Sequence, residues 1–116
     1  MRDISERLSD IKEAIKQIIK YTDSGRQAFD QNELVRIWVI HHLEIIGEAA
    51  RSIPQEFKNK HQEVPWQQIS KMRNVLIHIY FGVDTDIIWE VVQQDLPVLK
   101  SSVDALLASQ EGTSNT

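Results

Sequence analysis

The residues best equipped for chemistry fall in one short run, Arg73-Asn74-Val75-Leu76-Ile77-His78-Ile79-Tyr80. A permanent cation, an amide, an imidazole and a phenol interrupt a segment that otherwise reads as buried helix. Arginine presents a rigid fork of donors that matches a phosphate. Histidine is the side chain best suited to move a proton near neutral pH. On an ideal helix, at about 100° per residue, Arg73 and Tyr80 share a face within about 20°, whereas His78 points about 140° away from Arg73. One unbroken helix therefore does not aim both at a single phosphate. Two arrangements resolve this: the helix loosens near His78, a turn before Gly82, or two copies of the helix meet at a dimer axis and pool their side chains. The plain alternative is a surface arginine at a helix end, a satisfied buried histidine and a core tyrosine.

The elements that must position this run are helical. Ile4, Leu8, Ile11, Ile15 and Ile18 repeat at helical spacing and predict a first helix from Ile4 to Tyr21, opened by an Asp3-x-x-Glu6 capping box and ended by Thr22-Asp23-Ser24-Gly25. A second helix is expected from Asn32 to Ser52, with Asp30-x-x-Glu33 as its capping box. Its apolar set (Leu34, Val35, Ile37, Trp38, Val39, Ile40, Leu43, Ile45, Ile46, Ala49, Ala50 and Ile53) is too wide for one stripe. Either this helix also packs against another subunit or it lies at the centre of a bundle.

A short helix follows Pro54 as far as Lys60. Pro65 suits the first position of a third long helix carrying Trp66, Ile69, Met72, Leu76 and Tyr80 and stopped by Gly82. Asp84 can cap a fourth, with Ile88, Val91, Val92, Leu96, Leu99, Val103 and Leu106 on its inner face and a kink or break expected at Pro97. Nothing alternates like a strand. The expected fold is all-α, an antiparallel four- to five-helix bundle, with one domain over residues 1–110 and a frayed polar tail over 111–116.

Composition narrows the classes. The chain has 116 residues, enough for one modest core, and is 41% hydrophobic and 26% charged. Its net charge of −4 argues against a general nucleic-acid coat but allows one local basic site. Lys58, Lys60, Lys71 and Arg73 fall in one stretch, although a mixed solvated surface explains them better than a true basic patch. There are no cysteines, which suits a reducing cytoplasm. The charged opening Met1-Arg2-Asp3-Ile4-Ser5-Glu6 reads as a helix start rather than a signal peptide, and no apolar run is long enough to span a bilayer.

Other candidates carry less. His41, Glu44 and Glu48 share a helix face, but a dimetal bundle wants Glu-x-x-His on two helices. They read better as ordinary polar positions or as support for a neighbouring site. His61 reads as a solvated loop residue, and Trp38, Trp66 and Trp89 as core. No Gly-rich phosphate loop, Ser–His–Asp arrangement or zinc-like spacing is present.

Arg73-Asn74-x-x-x-His78 matches the R-polar-x3-H form of the R-x4-6-H motif of HEPN ribonucleases. Tyr80 extends it to R-x4-H-x-Y, which resembles the HepT toxin branch. The likeness continues in Ile46-Gly47-Glu48-Ala49, Pro65-Trp66, Met72-Arg73-Asn74, Tyr80-Phe81 and Val83-Asp84, and covers roughly Ile4 to Leu107. The resemblance implies a helical homodimer that cleaves RNA, tRNA among the candidate substrates, at a composite interface site without metal or other cofactor. Arg73 and His78 would be catalytic and Asn74 supporting, with Glu48 a candidate second support. It also implies the toxin half of a type VII-like toxin–antitoxin pair in the cytoplasm. Its partner would be a minimal nucleotidyltransferase antitoxin that transfers AMP to Tyr80. The rival expectation is a non-catalytic helical module that serves a nucleotidyltransferase in substrate binding or dimerisation.

Overall fold

Asp3 opens the first helix, α1 (Ile4–Thr22), with its carboxylate accepting the Glu6 backbone N–H at 2.8 Å. The computed structural model of the chain describes residues 3–69 and 85–114, with side chains as far as Ser109. The expected stripe of α1 is the buried one: Leu8, Ile11, Ile15 and Ile18 are fully enclosed, and Ile4 packs at the edge of the core. Gly25, in the left-handed region at φ 97°, turns the chain out of α1.

A short helix that periodicity does not announce follows, α2 (Arg26–Gln31). Six residues are too few to propagate on their own. Tertiary contacts hold it instead. Phe29 is fully buried against Trp89 with ring centroids 5.3 Å apart. Arg26 pairs with Asp30 at 3.2 Å and with Asp86 across the fold. Arg36 donates to the Phe29 and Asp30 carbonyls, satisfying acceptors at the end of the helix.

α2 changes how the next helix begins. Asp30 lies inside it and faces Arg26, so the expected Asp30-x-x-Glu33 box does not form. Asn32 caps α3 (Glu33–Arg51) instead, its side-chain oxygen accepting from the N–H groups of Leu34 and Val35 at 3.0 and 3.3 Å. Tyr21, at the end of α1, meets Trp38 edge to face at 5.3 Å. α3 thus starts beside the end of α1 and returns antiparallel along it, and these two helices make the most extensive contact in the fold.

The surplus of apolar residues on α3 divides in two. Val39, Leu43, Ile46, Ala49 and Ala50 enter the core, whereas Leu34 and Ile37 face outward and Trp38 is partly exposed. The expectation of a core tryptophan fails at Trp38, because the α1 face it meets offers Tyr21 at the bundle edge rather than an enclosed slot.

Pro54 precedes α4 (Gln55–Lys60), as the sequence predicts. Residues 66–69, here α5, are helical. Pro65 stands just before them, its carbonyl accepting the Ile69 N–H at 3.2 Å, so the proline is one position earlier than expected. Ile69 is buried in the core. The expectations for Met72, Leu76, Tyr80, Gly82 and Asp84 lie outside the described residues.

α6 (Thr85–Glu90) passes through a π-helical turn, Val91–Asp95, into α7 (Leu96–Ser114). Pro97 produces no break. A proline lacks the N–H for an i→i−4 bond and crowds that carbonyl. Here the wider turn just upstream, with Leu96 N–H bonded five residues back to Val91, takes up the mismatch. Ile88, Val91, Val92, Leu96, Leu99, Val103 and Leu106 are all buried. Lys12 reaches Asp104 at 3.4 Å and ties α1 to α7. Lys100, at 3.0 Å, holds the Asp104 carboxyl below its ordinary range. The described residues form an all-α bundle with no strand, and no described helix is long and apolar enough to cross a membrane.

Candidate active site

Arg73, Asn74, His78 and Tyr80 lie outside the described residues; the residues on either side are anchored. Ile69 before the segment and Ile88 after it both sit in the core. Of the named supporting residues, Glu48 is described. It is exposed near the end of α3, on the solvent side of a stretch whose neighbours Gly47, Ala49 and Ala50 are buried. Its backbone carbonyl accepts both the N–H and the hydroxyl of Ser52, at 3.2 and 3.0 Å, which fixes the local turn.

The histidines of α3 divide as their register dictates. His41 is exposed and lies along one face with half-buried Glu44 and exposed Glu48. His42 is buried, and its Nδ1 lies 2.8 Å from the Trp38 carbonyl. A carbonyl only accepts, so Nδ1 carries the hydrogen, which orients the ring. Trp38 also packs on that imidazole, centroids 4.4 Å apart. The outward edge of α3 is therefore one continuous aromatic and aliphatic surface made by Leu34, Ile37, Trp38 and Tyr21. Among the described residues no group of three or more His, Cys, Asp or Glu side chains converges as metal ligands would.

A concavity lies between α4 and α5, just ahead of the candidate run in the sequence. Trp66 forms one wall, its indole N–H donating to the His61 carbonyl at 2.9 Å and Lys58 Nζ lying 5.7 Å from its ring centroid. His61 is less solvated than expected. It packs on Phe57 with centroids 4.3 Å apart and pairs with Glu63 at 3.2 Å. The Glu63 carboxyl is drawn below its usual range by its own backbone N–H and then by His61. Motif and periodicity alike miss this place. The available signal is the density of amides around Pro65-Trp66, where Gln62, Gln67 and Gln68 stand.

A HepT-like ribonuclease family profile matches residues 11–106, which is most of the chain. This chain belongs to the HepT-like ribonuclease family. Among its relatives, the candidate RNase MJ1380 of Methanocaldococcus jannaschii is 41% identical over 104 residues, spanning 89% of this chain and 95% of the relative. The protein named "Probable ribonuclease HepT" of Thermococcus cleftensis is 42% identical over 106 residues, 90% of this chain and 96% of that one. No solved structure gives a significant match. The matched span includes Arg73, His78 and Tyr80, so the HepT-like assignment takes in the run of cation, imidazole and phenol. As a HepT-like protein, the chain is a ribonuclease and RNA is its substrate.

Proposed function

We propose that this ribonuclease is a homodimeric toxin that cuts RNA, tRNA among its candidate substrates, at a composite site on the twofold interface. In this reading it works in the cytoplasm and is silenced by a minimal nucleotidyltransferase partner. Family membership and the Arg73-Asn74-x-x-x-His78-x-Tyr80 pattern support the cleavage site. One observation carries the dimer: Leu34 lies one helical turn before Ile37 and Trp38 on α3, and the three are 76%, 53% and 38% exposed. A self-complementary apolar strip of this kind suits an isologous contact, in which the same patch meets its copy. Pairing two protomers also answers the geometric difficulty that one straight helix does not aim Arg73 and His78 at one phosphate.

The chemistry follows from the substrate. RNA brings its own nucleophile, the 2′-hydroxyl, so attack needs a base to remove that proton and an acid to protonate the departing 5′ oxygen. His78 from each protomer fills one of these roles. Arg73 neutralises charge that gathers on the non-bridging oxygens as the phosphorane forms. Asn74 hydrogen-bonds the phosphate or His78, and Glu48 is a candidate support from α3. Transfer of AMP to the Tyr80 phenol adds bulk and a negative charge beside Arg73, which opposes entry of a phosphate.

The products test this scheme. Cleavage is expected to leave a 2′,3′-cyclic phosphate and a 5′-hydroxyl, at a rate unchanged by EDTA. Mass analysis of the fragments that finds 5′-phosphates, or an EDTA-sensitive rate, contradicts it.

A further inference from the structure

We infer that the groove between α4 and α5 is a subsite for one unpaired nucleotide of the RNA, at most a few nucleotides from the phosphate that is cut. The inference rests on the ribonuclease reading and adds to it a place where base identity is read. The groove encloses about 650 Å³, within the range of pockets that hold small ligands. Its floor is Val64 and Pro65, one wall is Trp66, and the rest is mainly amide. Acidic side chains are absent from the described lining, which suits an anionic ligand, and Lys58 supplies a cation over the indole.

The amides are arranged rather than loose. Gln55 Nε2 donates to Asn59 Oδ1 at 2.9 Å, and Gln62 Nε2 donates to the Asn59 carbonyl at 3.2 Å. Those bonds hold three side chains in place and keep the Gln55 and Gln62 carbonyl oxygens and the Asn59 amide N–H group available to a ligand. Gln67, exposed on α5, adds a further donor and acceptor to the lining. A mixed set of donors and acceptors beside a cation is what the edge of an unstacked base and its phosphate require, and RNA readers bond unstacked bases along their edges. Lys58 then serves the adjoining phosphate as a point charge.

The covalent chain keeps this groove near the chemistry. Trp66 and Arg73 are seven residues apart, and seven residues span at most about 25 Å in any conformation. A nucleotide held at Trp66 therefore lies within a short oligonucleotide's reach of Arg73.

The test uses short oligoribonucleotides that differ in the bases at each of the few positions on either side of the cut. Gln62 and Gln67 are exposed, so Gln62→Ala with Gln67→Ala leaves the fold intact. This double variant is expected to raise KM about tenfold on the preferred sequence and to flatten base preference, as the loss of two hydrogen bonds implies, with kcat little changed. Unchanged KM and preference overturn the subsite. So does a variant that loses a protein partner while its RNA kinetics stay the same, because the groove is then a protein contact. If the wild type cuts none of the oligonucleotides, these RNAs lack its cleavage site, and the subsite is read by binding alone, from photo-cross-linking of 5-iodouridine RNA: attachment within residues 55–68 supports it, and attachment elsewhere overturns it.

Discussion

His78→Ala is expected to slow RNA cleavage by about 10²–10⁴-fold, the range that one positioned acid or base contributes. Arg73→Ala is expected to lose about 10²–10³-fold, the loss found when one donor to a developing oxyanion is removed. Arg73→Lys restores little of it, since a point charge does not reproduce the planar fork. Folding is the necessary control, read by circular dichroism and urea titration. In cells the same changes are expected to relieve any arrest of growth that the wild type causes on induction. A folded His78→Ala protein that cuts within a few-fold of wild type assigns the acid–base work elsewhere.

Leu34→Asp with Ile37→Asp is expected to weaken self-association by at least about 100-fold while leaving each protomer folded. The reasoning is one of area and charge. Both side chains are largely exposed on α3, so the fold gains little from them. Full burial of one aliphatic side chain is worth about 1.5–3 kcal/mol, and an isologous contact loses most of four of them, two from each protomer, which exceeds the 2.8 kcal/mol or so of a 100-fold change. Two carboxylates facing their own copies add repulsion. Near the start of α3, an acid at position 34 also favours the helix dipole and does not endanger the helix. Sedimentation measures the association and urea titration the fold. A double variant as dimeric as wild type moves the interface off this face.

Where one physical rule decided the outcome, the fold was legible. The stripe of α1 and the inner face of α6 and α7 are buried as predicted, because one-sided apolar periodicity leaves a helix a single way to lie on a core. Errors arose where two local signals competed and a distant contact chose between them. Asp30 and Asn32 are both good caps. Asn32 wins because α2, held by Phe29, Arg26 and Arg36, has already taken Asp30. Pro97 predicts a kink or a break; the helix does not break there, and the irregularity takes the form of the π turn at Val91–Asp95. Trp38 reads as core from its neighbours, yet its place at the bundle edge depends on where Tyr21 ends α1.

The candidate site is proposed from the residue types and spacing of Arg73, His78 and Tyr80 alone, and those residues lie outside the described residues. The groove at Trp66 was not legible. Its lining comes from two helices and the turn between them, and glutamines spaced as Gln55, Gln62 and Gln67 have no pattern until that turn brings them together.

Specific activity measured across a dilution series, beside the dimer fraction from mass photometry, tests most directly whether cleavage needs two protomers. Activity per protomer is expected to fall in step with the dimer fraction and to return on concentrating. Activity that holds constant while the protein is seen to be monomeric contradicts the shared site.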